Sequence, residues 1–368
     1  MIHFTTSRRS PIASGLSSRC AGLPPPLAVV ILLLLGLAIA ASIRTVPTML
    51  EYSTEHQAKP DRTTTDMLLY QSLAAQVRSG RNYYIAATAT QREAGYPVRP
   101  FVTVRLPTLT WLIAALSPPG AHLLMLLLVA ATVIAWVIRL TRIIHPTLPR
   151  MSGGILLIIF GVMPVTYEPA MWFSESWAGL LIALSLALYQ PGRWWPSVAA
   201  ALMAVMIREL ALPYLLAMGL MAALAGQRRE AYGWGIAVGV FGMALLGHAQ
   251  AVDALTQVGD RVSQGWNGQH GWSFFLFACQ QLTTLTVLPP MATAVLLPMS
   301  YFGLAAWKSP VALRAFVTLG VYTLMIAMVA RTDNYYWVFL VGPILGLGLL
   351  FAPFAFVDLI QSLRRRRP

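Results

Sequence analysis

The sequence predicts an all-α integral membrane protein, a polytopic bundle of about ten transmembrane helices with a long first periplasmic loop carrying interfacial helices. Three observations predict it. The 368 residues are 57% hydrophobic and only 11% charged, where a soluble domain carries roughly 25% charged residues. The apolar residues come in repeated runs of about 20, enough to cross about 30 Å of hydrocarbon. The basic residues cap those runs. The net charge of +13 therefore belongs to membrane topology: the basic residues form no separate basic domain, so the bilayer is the expected partner and nucleic acid is not.

The predicted order is a tail over 1–26, a transmembrane domain over 27–358 that includes a periplasmic loop over 47–119, and a basic tail over 359–368. Arg8 and Arg9, an apolar run and Ala-Ile-Ala-Ala at 38–41 resemble an export signal with a small-residue cleavage site, but the many spans that follow favour an uncleaved signal anchor. Crossings are expected at 27–46, 120–139, 152–167, 173–190, 194–208, 210–226, 231–248, 287–306, 311–330 and 336–358. Both termini then lie in the cytoplasm of a bacterial inner membrane, beside Arg139, Arg142, Arg228, Arg229, Arg314 and Arg364 to Arg367. The acids, apart from Glu230 and Asp358, collect on the outer side. Trp172, Trp177, Trp194, Trp195, Trp234, Trp307 and Trp337 fall near span ends, where an aromatic belt is the default role.

Within the first loop, Thr63-Thr64-Thr65-Asp66 opens a helix that Gly80 closes, with Thr63 as N-cap and Leu68, Leu69, Leu73, Ala74 and Val77 on its apolar face. A short apolar helix over about 106–117 ends at Pro118-Pro119 and is too short to span. A second outer loop covers about 249–271. The apolar stretch Trp272–Leu288 after it reads as an interfacial or re-entrant helix. Cys20 and Cys279 offer neither a disulfide framework nor zinc spacing, and no phosphate-cradling glycine motif occurs; no metal or cofactor is expected.

Asp66 is the main candidate for chemistry, although a carboxylate at the third position of a helix also serves a capping box and the helix dipole. Tyr70 lies one turn on, and Tyr83 and Tyr84 follow in the same loop. Arg99, Arg105, Arg208 and Arg331 lie near outer boundaries, placed either to hold phosphate or to snorkel and ion-pair. Glu168, before Pro169, suits a helix start as well as a site. Glu175 lies deeper, where a carboxylate needs a polar cavity or a partner, and Arg208, next to Glu209, is the cation expected to pair with it. Arg331, Asp333 and Asn334, with the aromatics after them, form either a sugar-lining turn or a plain interfacial one.

Asp66-x3-Tyr70, Ala74 or Ala75, Gly80-x2-Tyr83-Tyr84, then Tyr96-Pro97 and Pro100, resembles the first outer loop of GT-C-fold glycosyltransferases, in particular bacterial polyprenyl-phosphomannose-dependent mannosyltransferases. The layout is similar too, with one departure: Val98-Arg99 separates the prolines. The resemblance implies a GT-C-like fold and an inverting transferase in which Asp66 is the general base. The donor would be a polyprenyl-phosphate sugar and the acceptor a lipid-linked or envelope glycan. The competing expectations are a transporter or flippase for a lipid-linked or small polar substrate, and a non-catalytic assembly protein of the same fold.

Overall fold

The computed structural model describes residues 18–58, 62–143 and 148–364. Arg8, Arg9 and the tail before residue 18, like Arg365 to Arg367, lie outside the described residues, and so do the side chains of Thr63 and Thr64. The described residues form fourteen α-helices and several 3-10 turns, with no strand. In order, the helices are α1 (Pro25–Arg44), α2 (Val46–Ala58), α3 (Arg62–Arg78), α4 (Tyr83–Glu93), α5 (Pro107–Ile143), α6 (Leu148–Val162) and α7 (Ser174–Leu188). Then follow α8 (Trp195–Ile207), α9 (Leu212–Leu224), α10 (Arg228–Asp253), α11 (Gly271–Leu282), α12 (Pro290–Ala306), α13 (Pro310–Met328) and α14 (Ala352–Arg364). Among the described residues, five runs are long and apolar enough to cross a membrane: 25–57, 101–142, 228–253, 310–328 and 342–364. Five shorter apolar helices lie at 152–166, 174–188, 195–207, 209–224 and 290–306.

The first loop is more helical than its sequence suggests. Proline inside the first turn starts α1, and after Thr45 the chain resumes as α2. Helix α3 begins at Arg62, so Asp66 sits a full turn inside it rather than three residues after a Thr63 cap. Its end is as expected: Gly80 is left-handed (φ +94), its N–H meets the Val77 carbonyl, and Arg81 N–H meets that of Gln76. Asn82 caps α4 by accepting from the N–H groups of Tyr84 and Ile85. Leu73, Tyr83, Ala86, Val98, Val104 and Val252 bury a small core beneath these helices, tying the loop to the C-terminal end of α10. The short helix expected at 106–117 is the first arm of α5, which breaks at Ser117 (φ 62) and then continues as a long apolar run.

Three expectations change. The stretch over 336–358 is not one regular span: 3-10 turns at Thr332–Leu340, Gly342–Ile344 and Leu347–Leu350 precede α14. Irregular backbone at membrane depth is tolerated only where protein covers it, and here glycines let the cover come close. A Cβ on Gly179 of α7 would collide with the Phe339 carbonyl, and one on Gly303 of α12 would collide with that of Gly348. Secondly, the stretch expected as an interfacial or re-entrant helix forms α11 and is covered by protein, because Ser273 to Gln280 are all buried against neighbouring elements. Thirdly, Trp172, Trp177, Trp234, Trp307 and Trp337 are at most 4% exposed, so they pack inside the bundle rather than in an aromatic belt. Only Trp195 among the seven is widely exposed, at 60%.

Candidate functional site

Three short helices end at one place. Helix α7 starts with Glu175 in its first turn, where the dipole favours a carboxylate. Helix α8 ends at Ile207, and Arg208 leaves it in extended conformation (φ −143, ψ 114) before the 3-10 turn Glu209–Ala211 leads into α9. This break turns Arg208 and Glu209 toward Glu175. Arg208 Nε lies 2.7 Å from Glu175 Oε1, and its Nη1 donates to Glu209. The pairing of Glu175 with Arg208 read from the sequence is present, and both residues are 1% exposed.

The loop supplies the other half. The Tyr83 hydroxyl donates to the Arg105 carbonyl at 2.5 Å and so fixes the backbone just before α5. The Arg105 guanidinium reaches over the acids at 3.7 Å from Glu175 and 3.8 Å from Glu209. It also donates to the hydroxyls of Tyr70 (3.2 Å) and Tyr336 (3.3 Å). Burial pushes the Tyr70 hydroxyl up to about 12, opposed by Arg105 and reinforced by Asp66 and Glu175, so Tyr70 stays protonated at neutral pH. Asp66 is within electrostatic reach of both Tyr70 and Tyr336, and its Oδ1 accepts from the Tyr96 hydroxyl at 2.5 Å. Two guanidinium groups thus face two glutamates, with a third carboxylate at the rim.

The remaining candidates divide. Asn334 joins the cluster, its amide donating to the Tyr336 hydroxyl at 3.4 Å. Arg331 and Asp333 pair with each other at 3.7 Å on the same turn, each about a third exposed. Glu168 stands apart: it is exposed, and its carboxylate accepts from the Trp172 indole at 3.1 Å. Tyr84 packs on Tyr83 and His248, behind the charges. Arg99 is exposed beside the loop that follows α10, bridging to Val262. Two contributors escaped the sequence reading as site residues, Tyr96 and Tyr336. Each carried a signal only as a tyrosine within a motif or aromatic run, since nothing in the spacing shows which carboxylate or cation it meets.

Among the described residues, no group of three or more His, Cys, Asp or Glu side chains lies placed to share a metal ion. An apolar cleft opens between α6 and α12, lined by Leu157, Phe160, Leu288, Leu297 and Leu345 with Thr283 at its edge. Gly342, Leu345, Gly346 and Leu349 of its lining follow, in the chain, the turn that carries Tyr336. Compared with protein-family models, with curated proteins and with solved structures, the chain matches none.

Proposed function

We propose that this chain is an inverting membrane glycosyltransferase that moves a sugar from a polyprenyl-phosphate donor to a lipid-linked or envelope glycan, with Asp66 as general base. The observation that carries the reading is the meeting of Asp66, Tyr70, Arg105 and Tyr336 above the Glu175–Arg208–Glu209 cluster, on the side to which charge asymmetry assigns the periplasm. Helices of 13 residues such as α8 and α9 cover only about 20 Å of about 30 Å of hydrocarbon. Their polar ends would thus lie recessed in the outer leaflet beneath the loop helices, within reach of a lipid-borne substrate.

The chemistry follows from the inventory. Asp66 removes the proton of the acceptor hydroxyl as that oxygen attacks the anomeric carbon, and the bond to the phosphate breaks on the opposite face. One carboxylate suffices because the leaving group is already a phosphate. The distances rank the cations. Arg208 is held at 2.7 Å by Glu175 and is fully covered, so it acts as scaffolding. Arg105 has longer contacts and is 22% exposed, so it is the guanidinium available to a phosphate, with Arg331 next. The apolar cleft beside α12 supports a substrate with an isoprenoid tail.

The test is transfer of labelled sugar from polyprenyl phosphate in membranes. Asp66→Asn is expected to lower it by about 10²–10⁴-fold at unchanged protein level; normal activity removes the assignment. A buried charge cluster among helices also suits a coupled transporter. That second reading predicts substrate movement into sealed vesicles with no glycosidic product.

A further inference from the structure

Tyr96 is fixed in space more firmly than a loop residue needs to be. Helix α4 closes with Gly95 left-handed (φ +73); Gly95 N–H meets the Arg92 carbonyl and Tyr96 N–H meets that of Gln91 at 2.8 Å. The second outer loop then grips the segment on both sides of Tyr96. Arg261 donates to the Gly95 carbonyl at 2.8 Å, so close that a Cβ on Gly95 would meet its guanidinium at 3.0 Å. The N–H groups of Val98 and Arg99 both meet the Arg261 carbonyl, and Ser263 N–H returns to that of Arg99 at 2.7 Å. Arg92 closes the clasp with a two-pronged contact to Asp260, at 2.5 and 3.0 Å, and a further bond to the Leu255 carbonyl. All this brings one hydroxyl to one carboxylate, Asp66, thirty positions earlier.

We propose that Tyr96 is a positioning residue for Asp66, and that residues 255–263 of the second outer loop set its placement. The proposal rests on the transferase reading for its catalytic consequence, though not for the contact itself. A hydroxyl donating to a carboxylate favours the ionised form and fixes which oxygen faces the reacting group. Other polar groups facing Asp66 include Tyr70 of α3 and Tyr336 of the 332–340 turn. Arg105, before α5, donates to both of those hydroxyls and lies 3.7 Å from Glu175 of α7.

Tyr96→Phe removes the hydroxyl and leaves the ring. Two measurements test it together: the pH profile of transfer, and the infrared carbonyl stretch of the protonated Asp66 carboxyl, assigned by its loss in Asp66→Asn. In Tyr96→Phe, kcat is expected to fall about 10-fold with KM for the donor within about two-fold, and the acid limb to move up by about one pH unit. The infrared midpoint is expected to move by the same amount. Arg92→Gln, which opens the clasp without touching Tyr96, should give a smaller shift in the same direction. If transfer proceeds and neither the profile nor the midpoint moves, the positioning role is wrong while the transferase reading stands. If the wild type makes no glycosidic product yet the midpoint moves, the transferase reading fails and the Tyr96–Asp66 coupling holds.

Discussion

Helix α7 joins two buried charge clusters, and they are built differently. At its far end, Glu230 of α10 accepts from Arg314 of α13 at 2.8 Å, from Trp234 at 3.3 Å and from Tyr189 at 3.2 Å. The Arg314 guanidinium lies 3.7 Å over the Tyr189 ring, and neither charged side chain is more than 7% exposed. One acid meets one base, and these partners come from a helix or its immediate end. At the near end, two acids meet two bases, Arg105 and Glu209 keep 22% and 15% exposure, and half of the contacts come from a loop. Buried charge by itself therefore does not mark a site. What marks the near end is charge left partly open, completed by elements whose placement depends on other contacts.

The largest expected effect separates the two on stability. Arg314→Met strands Glu230 in the core and should cost about 3–5 kcal/mol. It would appear as a sharply lower melting temperature in detergent, with transfer per folded molecule unchanged. Adding Glu230→Gln removes the stranded charge and should restore much of the loss. If Arg314→Met melts like the wild type, the far cluster is not the structural lock that its geometry suggests.

Next comes the converse change. Arg105→Met removes two long ion contacts and the hydrogen bonds to Tyr70 and Tyr336 but leaves Arg208 paired with both Glu175 and Glu209, so melting should move less than in Arg314→Met. Transfer should fall by about 10²–10³-fold, the usual cost of losing one preorganised donor to developing negative charge. A variant that unfolds without a selective loss of rate would make the near cluster a second lock and end the contrast.

The two clusters also differ in how far the sequence disclosed them. Glu175 was legible because a carboxylate inside an apolar run demands a partner, and Arg208 was the nearest cation at the same boundary. The apolar runs gave the helices because hydropathy reports burial in lipid or protein alike. That same indifference hid the rest. It could not separate a lipid-facing tryptophan from Trp234, which donates to Glu230. It read 336–358 as one helix although 3-10 turns, closely approached by Gly179 of α7 and Gly303 of α12, precede α14 there. Tyr96 and Tyr336 depend on contacts across 30 and 231 positions, which no local pattern encodes.

The smallest expected effect tests whether the loop half of the near cluster really depends on its clasp. The Arg92 hydrogen bond, joined by the Gln257 N–H, holds the Asp260 carboxyl down at about 2, against about 3.9 when unfolded. A depressed carboxyl contributes its full stabilisation above the unfolded value and loses it as pH falls through the folded one. Spin labels at Glu93 and Val258, both exposed, should report one narrow distance from pH 8 down to about pH 4 and broaden only near pH 2. Asp260→Asn should broaden it at neutral pH with the far cluster unaffected, since Asp260 is held by Arg92 and by its own loop. Broadening between about pH 6 and pH 4 would mean that a group other than Asp260 holds the loop, leaving the contacts of Arg261 and Ser263 with the backbone of residues 95–99 to place Tyr96.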